Sequence, residues 1–147
     1  MNKELNKYWH DFCQQRGIDS NKLDEAYAFG DNVEMANQLA DLVNRGIKTA
    51  TTSIYDEREP VAPVGQYSII LDGSGQPVCV IQNRVVEVIP FKQVSQEHAY
   101  HEGEGNRDYE TWRKEHWNFF TKECQAEGFG DFTEDTKVVC EVFTKIE

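Results

Sequence analysis

The segment Gly46-Ile47-Lys48-Thr49-Ala50-Thr51-Thr52-Ser53 sets one amine directly before a run of hydroxyls. A hydroxyl becomes a nucleophile when a base takes its proton, and lysine serves as that base only where burial or a neighbouring cation suppresses its charge. The same residues also read as a lysine at a helix C-terminus followed by a threonine-rich strand. A Walker-type phosphate loop is excluded, because the glycine-rich arm is missing and the strand follows the lysine instead of preceding it. A second cluster, Glu97-His98-Ala99-Tyr100-His101-Glu102, places His98 beside both His101 and Glu102 on a helix. That is a metal-ligand spacing, with His116 or Glu115 as further donors. The preferred reading is a solvated polar helix end, and no metal or other cofactor is expected. Asp31 reads as a helix N-cap, and Trp112 and Phe119 as core.

Helices and strands must position these groups. Leu5, Tyr8, Trp9, Phe12 and Cys13 form one helical face that stops at Gly17. Asp31 and Glu34 resemble a capping box ahead of Met35, Ala36, Leu39, Ala40 and Val43, and Gly46 closes that helix. Strands are predicted over 49–54, 67–71 and 78–89, the last two joined by an Asp72-Gly73-Ser74-Gly75 turn. Pro90 ends the long strand. A short helix over 95–101 runs into Gly103-Glu104-Gly105, and Tyr109, Trp112, His116, Phe119, Phe120 and Cys124 mark a longer one. Val138, Cys140 and Val142 alternate with polar residues in a closing strand, while Arg58 to Pro63 is a loop. This order predicts an α+β domain around a small barrel.

The 147 residues suit one domain. Against 15 Lys and Arg stand 26 Asp and Glu, a net charge of -11 that excludes binding of long nucleic acid through a general basic surface. A nucleic-acid role must be local, through a pocket for a base, a nucleoside or a short strand. Cys13, Cys79, Cys124 and Cys140 include no C-x-x-C pair, so a zinc ribbon is excluded. The N-terminus lacks the apolar core of a signal peptide and no stretch is long and apolar enough to span a bilayer, so a cytoplasmic protein with no membrane partner is expected. Oligomeric state leaves no mark on the sequence.

Taken together, these segments resemble the ASCH domain family, related to the PUA fold. The features that match are Phe29-Gly30-Asp31 before a helix, Gly46-Ile47-Lys48-Thr49-Ala50-Thr51 after it, and Val64-Gly65 opening the hairpin. Val94 to Glu102 after the long strand and the closing Val138-Val139-Cys140-Glu141 complete the pattern over nearly the whole chain. The resemblance implies a single domain over 1–147, a small antiparallel or mixed β-barrel flanked by helices. Two departures from the compact members are an N-terminal helical extension over about 1–28 and a helical insertion over about 108–126.

Small bacterial members of the family are amidohydrolases of N4-acetylcytidine; others are ribonucleases or RNA-binding modules. The amidohydrolase pattern of a lysine, a threonine and a glutamate falls here on Lys48, Thr51 and Glu102. Phe29, Gly30, Asp31, Thr49, Arg107 and Arg113 accompany them as expected substrate-binding residues. Thr51 would attack the acyl carbonyl, neutral Lys48 would take its proton, and Glu102 would protonate the departing amine or position the water that clears the acyl-enzyme. In a regular strand positions 48 and 51 face opposite ways, so Lys48 must lie in the turn before the strand. A neutral lysine beside Glu102 also calls for a dry pocket or a second cation, for which Arg107 and Arg113 are the candidates. The expected partner is a small nucleoside or short RNA, bound with or without catalysis.

Overall fold

Helix α1 (Lys3–Arg16) begins where the Asn2 side chain accepts the Leu5 amide, and it ends at Gly17, whose φ of 66° an L side chain rarely adopts. In the computed structural model, which describes residues 1–147, three further helices follow: α2 (Val33–Asn44), α3 (Gln96–His101) and α4 (Tyr109–Glu127). Five strands, β1 (Leu23–Tyr27), β2 (Ala50–Ile54), β3 (Tyr67–Leu71), β4 (Pro77–Pro90) and β5 (Lys137–Ile146), form one mixed sheet in the order β1-β3-β4-β5-β2. β1 pairs with β3 in parallel and every other pairing is antiparallel.

The α+β class stands, but the sheet is not closed into a barrel: β1 and β2 are its two edges. The expected helical extension over about 1–28 is helical as far as Arg16, then makes a 3-10 turn, and becomes strand β1 at Leu23. Leu23-Asp24-Glu25-Ala26-Tyr27 lacks the β-branched residues that announce a strand, and only pairing with β3 gives it that form. The residue capping α2 is Asn32, not Asp31, since its side chain accepts the Met35 amide at 2.8 Å. The helix expected over about 108–126 is α4, capped by Asp108 and closed at Gly128.

The central hairpin carries the core on both faces. Ile69 and Val80 are paired across β3 and β4 and pack with Trp9, Phe12 and Cys13 of α1. Ile70 and Cys79, one residue along each strand, face the other way and pack with Leu39, Ala40 and Val43 of α2. Alternation with a period of two is what lets one hairpin hold two helices. A third cluster joins α3 and α4 to the sheet through Phe91, Ala99, Trp112, Phe120, Val138 and Cys140. Phe119, expected in the core, is instead 46% exposed. All four cysteines are buried and unpaired.

Candidate functional site

Lys48 lies in the turn before the strand, between α2 and β2. Helix α2 ends at Asn44, the Ile47 and Lys48 amides both donate to the Leu42 carbonyl, and β2 begins at Ala50. The loop after α3 is held against this turn. The Thr49 amide donates to the His101 carbonyl at 2.8 Å, and the Arg107 guanidinium donates to the Ile47 carbonyl at 2.9 Å. Gly103, at φ 72°, passes so close that a Cβ there would stand 2.6 Å from the Ile47 carbonyl oxygen. This clamp brings residues far apart in sequence onto the lysine.

Lys48 is 1% exposed. Its Nζ donates to the Ala50 carbonyl at 2.8 Å, to Glu104 Oε2 at 2.9 Å and to the Glu102 carbonyl at 3.4 Å. Glu102 Oε1 is 3.6 Å away, and the Phe29 ring centroid 5.1 Å. All the polar neighbours are acceptors, which engages the three donors of an ammonium.

Glu102, equally buried, is held by Thr52 and Trp112. Its Oε2 accepts from Thr52 Oγ1 at 2.6 Å and from Trp112 Nε1 at 2.9 Å. Its Oε1 faces His116 Nε2 at 3.5 Å. The His116 ring stacks on Trp112 with centroids 4.3 Å apart, and its Nδ1 donates to the Trp112 carbonyl at 2.9 Å. Burial pushes the Glu102 pKa up, but the His116 imidazole, the Lys48 ammonium and the Thr52 hydroxyl outweigh it and hold the carboxyl below its ordinary range. For His116 burial works downward and Glu102 prevails, so the imidazole is raised. His98, facing Thr52 from the other side, is lowered mainly by burial.

These groups open onto one cavity of about 400 Å³, lined by Phe29, Lys48, Thr51, Glu102, His116 and Phe119 among others. That volume suits a small organic ligand. The three residues singled out for catalysis thus share one cavity. Lys48 and Glu102 are in contact, whereas the Thr51 hydroxyl makes no hydrogen bond to protein. Phe29 and Gly30 also line the cavity.

The remaining candidates lie elsewhere. Asp31 accepts from the Asn32 side chain at 3.2 Å, outside the cavity. Thr49 faces a separate cleft with His98 and His101. Arg107 lies over the Tyr100 ring at 4.1 Å, and Arg113 pairs with Glu134 at 2.6 Å. Neither arginine is among the groups that contact Lys48 Nζ, whose nearest charged neighbour is the Glu104 carboxylate. Sequence reasoning missed Glu104, Thr52 and Trp112, and noticed His116 only as a metal donor. No group of three His, Cys, Asp or Glu side chains has the arrangement to hold a metal ion. On α3, His101 turns away toward Glu97 at 3.9 Å.

Comparisons with known proteins agree with this fold. The family model described as the ASCH domain matches residues 25–147. A crystal structure of a protein from Enterococcus faecalis V583 is 35% identical, with 99% of this chain and 90% of that one covered and a TM-score of 0.87. The ASCH domain from Lactobacillus crispatus JV V101 is 31% identical over 97% of this chain and 91% of its own, with a TM-score of 0.81. A hypothetical protein at 17% identity and a TM-score of 0.54, over 83% of this chain and 98% of its own, shares the fold alone. No curated protein matches the chain at a significant level.

Proposed function

The chain belongs to the ASCH domain family, a PUA-like fold associated with RNA, and from that premise we propose that it hydrolyses an amide bond on a modified nucleobase or nucleoside. The observation that supports this reading is the Lys48–Glu102 pair: two buried, oppositely charged side chains that open, with Thr51, onto a cavity of about 400 Å³. Phe29 and Phe119 offer apolar surface to a flat base. Glu102, Glu104 and Glu115 on the same lining repel a phosphate and accept from exocyclic amino groups.

In this reading Thr51 Oγ attacks the acyl carbonyl, the C–N bond breaks, and water then clears the acyl-enzyme. Neutral Lys48 takes the Thr51 proton, and Glu102, once it has taken up a proton, gives it to the departing amine. In the second step the attacking water returns a proton to Glu102 while Lys48 gives its proton back to Thr51. Of the side chains around Lys48, Glu104 is the one with room to leave, its side chain being 32% exposed. A substrate that displaces it removes the nearest negative charge, and desolvation then favours the neutral amine.

One observation favours a second reading, a binding module without catalysis: every Lys48 donor is already engaged by protein. Incubation with N4-acetylcytidine separates the two. The hydrolase releases cytidine and acetate, and Lys48→Arg abolishes release while binding persists, because arginine does not give up its proton. Binding without release in the parent protein would establish the module. Wild-type turnover by Lys48→Arg would remove Lys48 as the base.

A further inference from the structure

Glu102 has a second connection to the surface, away from the cavity. Its Oε2 accepts from Thr52 Oγ1 at 2.6 Å, and Thr52 Oγ1 lies 2.9 Å from His98 Nε2. His98 Nε2 is also 3.2 Å from the Thr51 carbonyl. These partners determine the tautomer. A carboxylate and a carbonyl only accept, so the Thr52 proton points at Glu102 and His98 Nε2 carries a hydrogen. The other ring nitrogen, Nδ1, has no partner in the protein. The ring lines a separate cleft of about 430 Å³, with Thr49, Glu87, Ser95, His101 and Cys140, which shares no residue with the site cavity.

We propose that His98 and Thr52 form a proton wire joining Glu102 to this outer cleft, with His98 a positioning and relay residue that never touches substrate. The proposal rests on the hydrolase reading above. A ligand filling the cavity closes Glu102, whose side chain is 2% exposed, off from solvent on that side. A carboxylate that is ionised at rest and protonates an amine at turnover needs a path for that proton. The balance is one for one. A solvent proton binds His98 Nδ1, the Nε2 proton passes to Thr52 Oγ1, and the Thr52 hydroxyl proton passes to Glu102 Oε2. The reverse sequence carries a proton out. The charged and titratable groups around the ring are Glu97 and His101 on its own helix, Glu102 just after that helix, Lys48 before β2, Glu87 on β4 and Cys140 on β5.

His98→Gln tests the wire, because the glutamine amide still donates toward Thr51 and Thr52 but accepts no proton. With N4-acetylcytidine as probe, turnover should fall about 10²-fold, the lower range for loss of acid–base transfer, with binding unchanged. Added imidazole, free to enter the outer cleft, should restore part of the rate. Unchanged turnover, or a loss that imidazole leaves untouched, would overturn the relay. Nitrogen-15 spectra of histidine in the ligand-free protein provide a readout independent of activity. They should show His98 protonated at Nε2 and bare at Nδ1 above neutral pH; the opposite tautomer sinks the wire. If the parent protein does not hydrolyse the probe, the hydrolase reading falls by itself and the tautomer decides the wire.

Discussion

Thr52, not its neighbour Thr51, holds the Glu102 carboxylate, with Oγ1 2.6 Å from Oε2. Adjacent residues of a strand face opposite ways, and both threonines are among the residues that line the cavity. The two threonines therefore carry different burdens. Thr52→Val leaves a buried carboxylate one donor short and should cost about 1–3 kcal/mol of stability. Thr51→Val removes a hydroxyl that bonds to nothing in the protein. It should unfold at nearly the parent's denaturant midpoint while losing N4-acetylcytidine hydrolysis. Equal destabilisation of the two variants would contradict the assignment.

Stability should depend on pH in two opposing ways near neutrality. His116 is raised by Glu102, so its contribution is complete below its unfolded value of about 6.5 and is lost as pH rises through the folded value. His98 is lowered by burial, so its unfolded form binds more protons and stability rises with pH up to that same value. Melting temperatures from pH 5 to 9 should show His116→Gln abolishing the alkaline decline and His98→Gln flattening the acid-side rise. The same effect from both variants would show that the two rings are not distinguished by Glu102.

Glu102 contributes at the acid end. Its carboxyl is held below the ordinary range, so stability is present above about pH 4.3 and lost as pH falls through the folded value. Glu102→Gln should lose this acid limb. Urea titrations between pH 2 and 5 would check it, and an acid limb that survives unchanged would place the responsible carboxylate elsewhere.

Glu104 is the displaceable partner of Lys48, 2.9 Å from its Nζ. Glu104→Gln removes the ion pair that a substrate must break, so KM for N4-acetylcytidine should fall. If Glu104 instead binds the substrate, the substitution will raise KM.

Gly103 tests the clamp. Alanine there meets both a positive φ and the Ile47 carbonyl oxygen, 2.6 Å from the new Cβ. Gly103→Ala should destabilise by about 2–3 kcal/mol and loosen the Lys48–Glu102 contact. Gly17→Ala, at a similar φ but with open space around it, should cost less. Thermal unfolding of the pair separates steric clash from backbone strain.

Ligand affinity should barely respond to salt. The three glutamates of the lining leave little net positive charge for a phosphate, so N4-acetylcytidine binding between 50 and 200 mM salt should stay within about a factor of two, against the steep loss of a phosphate reader.

Periodicity made the first two helices legible: Leu5 to Cys13 and Ala36 to Val43 show the apolar face that each buries. β-forming residue types and the Asp72–Gly75 turn marked β2, β3 and β4, and alternation marked β5. Strand β1 was not legible, because Asp24 and Glu25 belong to no strand-forming pattern and only the exposed edge of β3 draws them into one. Closure of the sheet was equally hidden, since whether two edge strands meet depends on twist and bulges summed over every strand between them. At the site, residue type and local order determined that Lys48 precedes the strand and that hydroxyls follow it. Which carboxylates face that lysine is a different kind of question. Glu104 and Glu102 reach it because Gly103 packs against Ile47, and His116 because α4 docks its Trp112 face beside the Glu102 carboxylate. Local sequence carries propensity and spacing; the charge on a buried group is set by neighbours some fifty residues distant, and only the packed chain brings them together.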